Sequence, residues 1–313
     1  MKTAIQIEGL RKEFRKTIAL GGVGLAVPEG AIYALVGPNG AGKTTLIKLL
    51  MNIFRPTAGR ASVLGVDSTK LVGKDFSRIG YVSENQDLPE WMTTGGMLDY
   101  LRPFYPTWDR DLERQLTQLF ELPMQRKLKH LSRGMRMKAA FAGSLAYRPR
   151  VIILDEPFSG LDPLVRDQLI GSLLDRAPET TILLSSHDLA EIETFASHVG
   201  YLDDGCVLFS EEMTSLSGRF REVTITLDAE PGLSGRYPAD WLQPAASGTV
   251  VRFVHSGYRG EASEREIAAI FPTARDVSFD PMPLRSIFLA IAKSGRGQPQ
   301  SDSIHELPKE VRA

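Results

Sequence analysis

Apolar and polar residues alternate through the first 30 positions. Ala4, Ile5 and Ile7, then Val23, Leu25 and Val27, mark the apolar side, and this two-residue period predicts short antiparallel strands. Ala31-Ile32-Tyr33-Ala34-Leu35-Val36 is apolar without interruption, which predicts a strand covered on both faces. A Gly-rich turn follows, then a helix carrying Leu46, Ile47, Leu49, Leu50 and Met51. Residues 86–149 change character. They predict a mostly helical subdomain with one helix from Asp109 to Glu121, rich in aromatics at Trp91, Tyr100, Phe104, Tyr105 and Trp108. Val151-Ile152-Ile153-Leu154 and Thr181-Ile182-Leu183-Leu184 read as further buried strands. Asp162-Pro163 opens a helix with an acidic cap and Pro at the first helical position. A helix runs from Asp188 to about Ser197, and Val199 to Phe209 forms a hairpin turning at Asp204-Gly205. Strands alternating with helices predict an α/β fold with a mostly parallel, doubly wound sheet.

After Ser217-Gly218 the pattern becomes that of a small α+β unit. Val223 to Leu227, Val250 to His255 and Asp276 to Asp280 read as strands. Ser263-Glu264-Arg265-Glu266 reads as a capping box opening a helix that bears Ile267, Ile270 and Phe271. Leu284, Ile287, Phe288 and Ile291 fall on one helical face. The expected division is 1–217, 218–293 and a polar tail over 294–313.

The chain has 313 residues, a length that suits two domains. Its Lys+Arg of 37 against Asp+Glu of 38 leaves a net charge of -1, and this excludes an acidic disordered chain and a basic nucleic-acid coat. The single cysteine, Cys206, forms no internal disulfide and no Cys-rich zinc site, which fits a reducing compartment. It reads as a small buried apolar side chain in a strand. The N-terminus lacks the apolar core of a signal peptide. No stretch approaches the roughly 18–20 apolar residues of a bilayer span. Work at a membrane would then proceed from outside the lipid, through a partner.

Gly37-Pro38-Asn39-Gly40-Ala41-Gly42-Lys43-Thr44, with Thr45 next, matches G-x-x-x-x-G-K-[ST] between a buried strand and a helix. Glycines let successive backbone N–H groups curl around phosphate oxygens, and the helix presents its positive end to the same anion. Lys43 would reach the β- and γ-phosphates, and the Thr44 hydroxyl would ligate Mg²⁺. Asp155 and Glu156 end the strand from Val151, at the sheet edge where open α/β sheets bind ligands. Asp155 would hold the Mg²⁺ shell, and Glu156 could accept a proton from attacking water.

With these residues the sequence resembles the nucleotide-binding subunit of ATP-binding cassette (ABC) transporters. Leu131-Ser132-Arg133-Gly134-Met135 stands where that family carries its LSGGQ signature. Ser159-Gly160-Leu161-Asp162 matches its D-loop, and His187 its switch histidine. The resemblance covers residues 1 to about 215. It implies a P-loop NTPase fold with a mixed sheet and helical subdomain, ATP and Mg²⁺ as ligands, and a homodimer closing head to tail around two ATP molecules. Ser132 and Gly134 would face the γ-phosphate held by the other subunit, His187 would contact that phosphate, and Phe14 would stack on adenine. The membrane partner would be an integral permease, placing the chain in the cytoplasm on the inner face of the membrane.

Three departures stand out. Gly and Gln of the signature are Arg133 and Met135; Arg133 either adds charge near triphosphate or points to solvent. The Q-loop glutamine is Glu84, which can approach Mg²⁺ as a full anion, with Gln86 two residues on as a substitute. Arg136 and Lys138 make a basic stretch that reads as a solvated helix face. His130, His198, His255 and His305 show no metal spacing. The aromatic region 86–130 either receives a helix of the permease or packs on itself. The LSRGM variant, the Tyr33–Gly37 lead-in and the short C-terminal unit look like the ATPases of bacterial ABC-2-type exporters. The alternative is a soluble ABC-type ATPase acting on nucleic acid or ribosomes. Neither its usual paired cassettes nor its long coiled-coil insert fits this length, and net charge -1 offers nucleic acid no footprint.

Overall fold

A computed structural model of the chain describes residues 2–229 and 237–295. Residues 296–313 of the expected polar tail, His305 among them, lie outside the described residues. The chain divides into two units, Met1–Met213 and Thr214–Ala313.

The first unit runs β1 (Thr3–Phe14), β2 (Thr17–Pro28), β3 (Ile32–Val36), α1 (Lys43–Leu50), β4 (Ala58–Val63), β5 (Val66–Asp67), α2 (Gly73–Phe76) and β6 (Ile79–Ser83). It continues with α3 (Thr94–Leu101), α4 (Arg110–Leu119), α5 (Arg133–Leu145), β7 (Val151–Asp155), α6 (Pro163–Leu174), β8 (Thr181–Ser186), α7 (Leu189–Glu193), β9 (His198–Asp203) and β10 (Cys206–Glu212).

Two sheets form. One is antiparallel, in the order β2-β1-β4-β5. The other has the order β10-β9-β3-β8-β7-β6 and is parallel except for the edge strand β10. Every residue of β3, β7 and β8 is buried, as their unbroken apolar runs require. One core cluster joins Ile5, Ile7, Leu20 and Val23 of the antiparallel sheet to Leu46, Ile47, Leu49 and Leu50 of α1, and to Tyr33, Leu35, Val151 and Leu183 of the parallel sheet. Each such Leu or Ile contributes about 1.5–3 kcal/mol by leaving water. The helix after the phosphate loop is thereby locked into the core, which fixes the loop at its start.

Parallel pairing aligns the strand ends. Ser83 sits opposite Asp155, and Asp155 opposite Ser185, so their side chains meet along one edge. Between β6 and β7 lies the helical subdomain of α3, α4 and α5. Asp109 caps α4 by accepting from Asp111 and Leu112 N–H at 2.8 and 2.9 Å. Buried residues of α5 anchor it to β6, where the Ser144 hydroxyl donates to Tyr81 O at 3.1 Å.

The second unit carries all but the first residue of α8 (Met213–Arg219), then β11 (Arg221–Leu227), β12 (Trp241–Ser247), β13 (Val250–His255), α9 (Glu261–Ile270), β14 (Ala274–Pro281) and α10 (Leu284–Gly295), with its antiparallel sheet in the order β12-β13-β11-β14. Val223, Ile225, Val251, Phe253, Ile267 and Trp241 form its core, with the Trp241 and Phe253 rings stacked at 3.9 Å. Leu284, Ile287 and Phe288 are buried along one face of α10.

Several expectations are corrected. Cys206 lies in a strand but is exposed, because β10 is an edge strand with alternating exposure. The Ser263 capping box does not form: α9 already begins at Glu261, and the Ser263 hydroxyl reaches back to accept Arg259 N–H at 3.0 Å. The helix from Asp188 ends at Glu193 rather than Ser197. Lys138 is buried rather than solvated, and Arg136 pairs with Glu90 at 3.5 Å. Strands β4, β5, β6 and β12 had no expected counterpart.

Candidate active site

The phosphate loop spans the end of β3 and the start of α1. Gly42 caps α1 at φ 107°, a conformation that glycine alone adopts without strain, and a Cβ there would lie 2.6 Å from Ala19 O. Pro38, Asn39 and Gly40 are exposed, Ala41 is buried, and Thr45 is half-buried on the first turn of α1. Lys43 is buried at 6% exposure and folds back over the loop, donating to Gly37 O at 2.6 Å and Pro38 O at 3.2 Å.

Three acidic or basic groups meet there. Lys43 Nζ stands 3.2 Å from Glu156 Oε1, and His187 Nδ1 stands 2.8 Å from Glu156 Oε2. Glu156 is thus gripped at both oxygens, on a backbone with φ 49°, which is left-handed and strained for a non-glycine residue. One residue earlier, Asp155 Oδ1 accepts from the Thr44 hydroxyl at 3.0 Å and the Ser185 hydroxyl at 2.8 Å. Burial pushes the Asp155 carboxyl above the usual carboxylate range, opposed by those two hydrogen bonds.

Ser185 was not among the expected site residues. Its hydroxyl donates to Asp155 and accepts Glu156 N–H at 2.9 Å, so one fully buried side chain sets both acids. A serine ending an apolar strand beside another strand that ends in Asp-Glu was the available signal.

The other expected residues lie apart from this knot. Glu84 N–H donates to Asp155 O at 3.0 Å, but the Glu84 carboxylate accepts from Arg133, and Arg133 also donates to Ser159 O at 2.7 Å. Arg133 is half exposed to solvent and engaged by these two contacts. The Gln86 amide oxygen accepts Ser83 N–H at 3.4 Å. Ser132 caps α5, its hydroxyl accepting Met135 N–H at 3.3 Å, and Gly134 faces Val165 of α6. Among the described residues no hydrogen bond joins Ser132 to the phosphate loop. Phe14 packs edge-on against Phe54 with ring centroids 5.4 Å apart, and Lys12 Nζ lies 4.8 Å from its ring centre.

The aromatics of the helical region split. Tyr105 stacks on Tyr147 at 3.9 Å, and the Trp108 indole N–H donates to Glu113 at 2.6 Å. Trp91, Tyr100 and Phe104 stay exposed at 71, 55 and 61%. A cavity of about 430 Å³ is lined by residues 83–88 together with Leu131, Arg133, Arg136, Met137 and Ala140.

A family model described as ABC transporter matches residues 20–159. The daunorubicin/doxorubicin resistance ATP-binding protein DrrA of Streptomyces peucetius is 32% identical over 322 residues, covering 96% of this chain and 94% of its own. The chain belongs to the ABC transporter ATP-binding proteins. The bacitracin transport ATP-binding protein BcrA of Enterococcus faecalis is 29% identical, over 72% of this chain and 74% of its own. A solved ATP-binding subunit of an ABC transporter superposes with a TM-score of 0.64 at 27% identity, covering 69% of this chain and 92% of that one. The ABC cassette thus has the fold that its residue pattern resembled, and it is an ATPase subunit of that transporter class. No helix of its described residues is long and apolar enough to cross a membrane.

Proposed function

We propose that this chain drives an exporter by binding ATP in the loop of residues 37–45, hydrolysing it with Glu156 as the base, and opening and closing as a homodimer. The observation that carries the reading is the grip on Glu156 by Lys43 at 3.2 Å and His187 at 2.8 Å. A triphosphate entering the loop brings negative charge to Lys43 and competes with Glu156 for it. Glu156 Oε1 is then free to take a proton from water as the water oxygen bonds the γ-phosphorus and ADP leaves. Oε2 stays on His187, which holds the carboxylate in line and would contact the γ-phosphate.

Among the described residues no three His, Cys, Asp or Glu side chains form a metal cage. Thr44 Oγ1 and Asp155 Oδ1, 3.0 Å apart, are hard oxygens of the kind that hold Mg²⁺ together with substrate phosphates, so the residues present fit. Bound there by Thr44 and Asp155, the ion would neutralise charge on the phosphates. The Glu84 carboxylate is engaged by Arg133 and is not assigned to the ion.

Ser132 and Gly134 open α5, where a helix N-terminus suits an anion, and among the described residues they make no hydrogen bond to their own chain's phosphate loop. A second copy, placed head to tail, would bring them to the γ-phosphate, and Phe14 would meet the adenine. Export is supported by DrrA and BcrA, whose names speak of drug resistance and bacitracin transport. An integral permease would dock where Trp91, Tyr100 and Phe104 leave apolar surface in solvent, placing the chain on the inner face of the cell membrane. The unit from Thr214 onward is assigned an accessory role.

Glu156→Gln is expected to bind ATP, dimerise and stop turning over; wild-type hydrolysis would remove Glu156 from its role. Lys43→Ala is expected to lose about 10²-fold or more in nucleotide affinity, since a buried charge-assisted phosphate contact goes. Equilibrium binding of a fluorescent ATP analogue checks it, and unchanged affinity would undo the loop assignment.

A further inference from the structure

Arg133 and Glu84 are 49 positions apart, and each departs from the family's usual residue, yet they pair with one another. The same guanidinium donates to Ser159 O at 2.7 Å. It lies flat over Gly160, where a Cβ would sit 3.0 Å from Nη1. Arg133 is the first residue of α5, at the positive end of a helix, where a cation is unfavourable and the Glu84 carboxylate offsets its charge.

The contacts close a ring. Asp155 O accepts Glu84 N–H at 3.0 Å, the Glu84 carboxylate holds Arg133, and Arg133 holds Ser159 O. The chain from Asp155 to Ser159 completes it, and Ser159 N–H donates to Glu156 O at 3.3 Å. Inside that short arc stands Glu156, with its left-handed backbone at φ 49°. A strained turn keeps its geometry only when its surroundings determine it, and Arg133 fastens the far end of this one.

We propose that Arg133, held in place by Glu84, is a positioning residue for Glu156: its bond to Ser159 O fixes the turn that aims the carboxylate. The inference rests on Glu156 as the base. It assigns the Glu84 side chain to Arg133 rather than to the metal, and it makes the two departures one unit.

Single-turnover hydrolysis by the purified full chain with ATP and Mg²⁺ tests it, beside equilibrium ATP binding and thermal unfolding. Arg133→Ala and Glu84→Ala should each slow hydrolysis about 10- to 100-fold, the range of a slightly misplaced catalytic group. ATP affinity and the unfolding midpoint should hold. The double variant should be no slower than Arg133→Ala, because both act through one turn. Arg133→Lys, which keeps a donor, should recover much of the rate. The reversed pair Glu84→Arg with Arg133→Glu should stay slow, since a carboxylate at 133 cannot donate to Ser159 O. Full-rate hydrolysis by Arg133→Ala, or recovery in the reversed pair, overturns the proposal, as does a loss of affinity that accounts for the loss of rate. Normal hydrolysis by Glu156→Gln would sink the reading of Glu156 itself, and this inference with it.

Discussion

Asp155→Asn separates what the acid contributes to function from what it costs the fold. Asp155 is 4% exposed, and its environment raises its pKa mainly by burial. The ionised form is therefore less stable in the folded chain than in the unfolded one, where the group titrates near the ordinary carboxylate value of about 3.9. The sign follows. That destabilisation is present in full above the raised folded pKa. It fades as pH falls through that value and is gone below the unfolded one. Asparagine keeps the carbonyl oxygen that accepts from Thr44 and Ser185, and it removes the charge.

Relieving a desolvated carboxylate is worth about 3 kcal/mol, and the new amide N–H₂, which replaces an oxygen without a hydrogen bond in the structure, returns about 1. A net gain of about 2 kcal/mol raises the unfolding midpoint of a unit this size by about 4–8 °C. Scanning calorimetry across pH, without nucleotide, reads it: the variant should be the more stable at neutral pH, and the two should converge in acid. Adding Mg²⁺ and ATP should reverse the order. The wild type then gains the stabilisation of a bound ligand, about 2.7 kcal/mol at a hundredfold excess over Kd, and the variant lacks the acid assigned to the ion. An asparagine variant less stable than wild type at neutral pH without nucleotide would refute the reasoning, for it would mean that the carboxylate's hydrogen bonds outweigh its desolvation.

Ser185→Ala removes a buried hydroxyl shared by Asp155 and Glu156, and should cost about 1–3 kcal/mol of stability and about 10- to 100-fold in hydrolysis while ATP still binds. Chemical denaturation beside single-turnover kinetics checks both, and a full hydrolytic rate would show that Glu156 is set by other contacts. Tyr105→Ala should lower the unfolding midpoint because it strips the ring stacked on Tyr147, whereas Tyr100→Ala and Phe104→Ala should leave it unchanged and weaken recovery of the chain with membranes. Undiminished membrane recovery in the two exposed variants would remove that surface from the docking role.

The parallel core was legible because β3, β7 and β8 are buried on both faces, and a strand with no wet face must be written in apolar residues throughout. The phosphate loop was legible for a different reason: its constraints are local, and Gly42 is demanded by a backbone angle and a carbonyl nearby. β12 escaped notice because most of its residues are exposed and no period is imposed on them. Cys206 was misjudged for a related reason, since whether a strand lies at the edge of a sheet is settled by pairing order, not by its own residues.

The site divides along the same line. Lys43, Thr44, Asp155 and Glu156 could be placed because each occupies a strand end or loop whose spacing is set within a few residues. The roles of Ser185 and Arg133 could not, because they are made by register and by approach between distant segments. Ser185 serves both acids only because β8 lies beside β7 with Asp155 opposite it. Arg133 reaches Glu84 only because α5 is anchored on β6 through Ser144 and Tyr81. Arg133 and Glu84, taken singly, look like losses from a motif. Brought together at the mouth of the β7 turn, they supply a donor, an answering charge and a fixed distance to Ser159 O, which neither residue supplies alone.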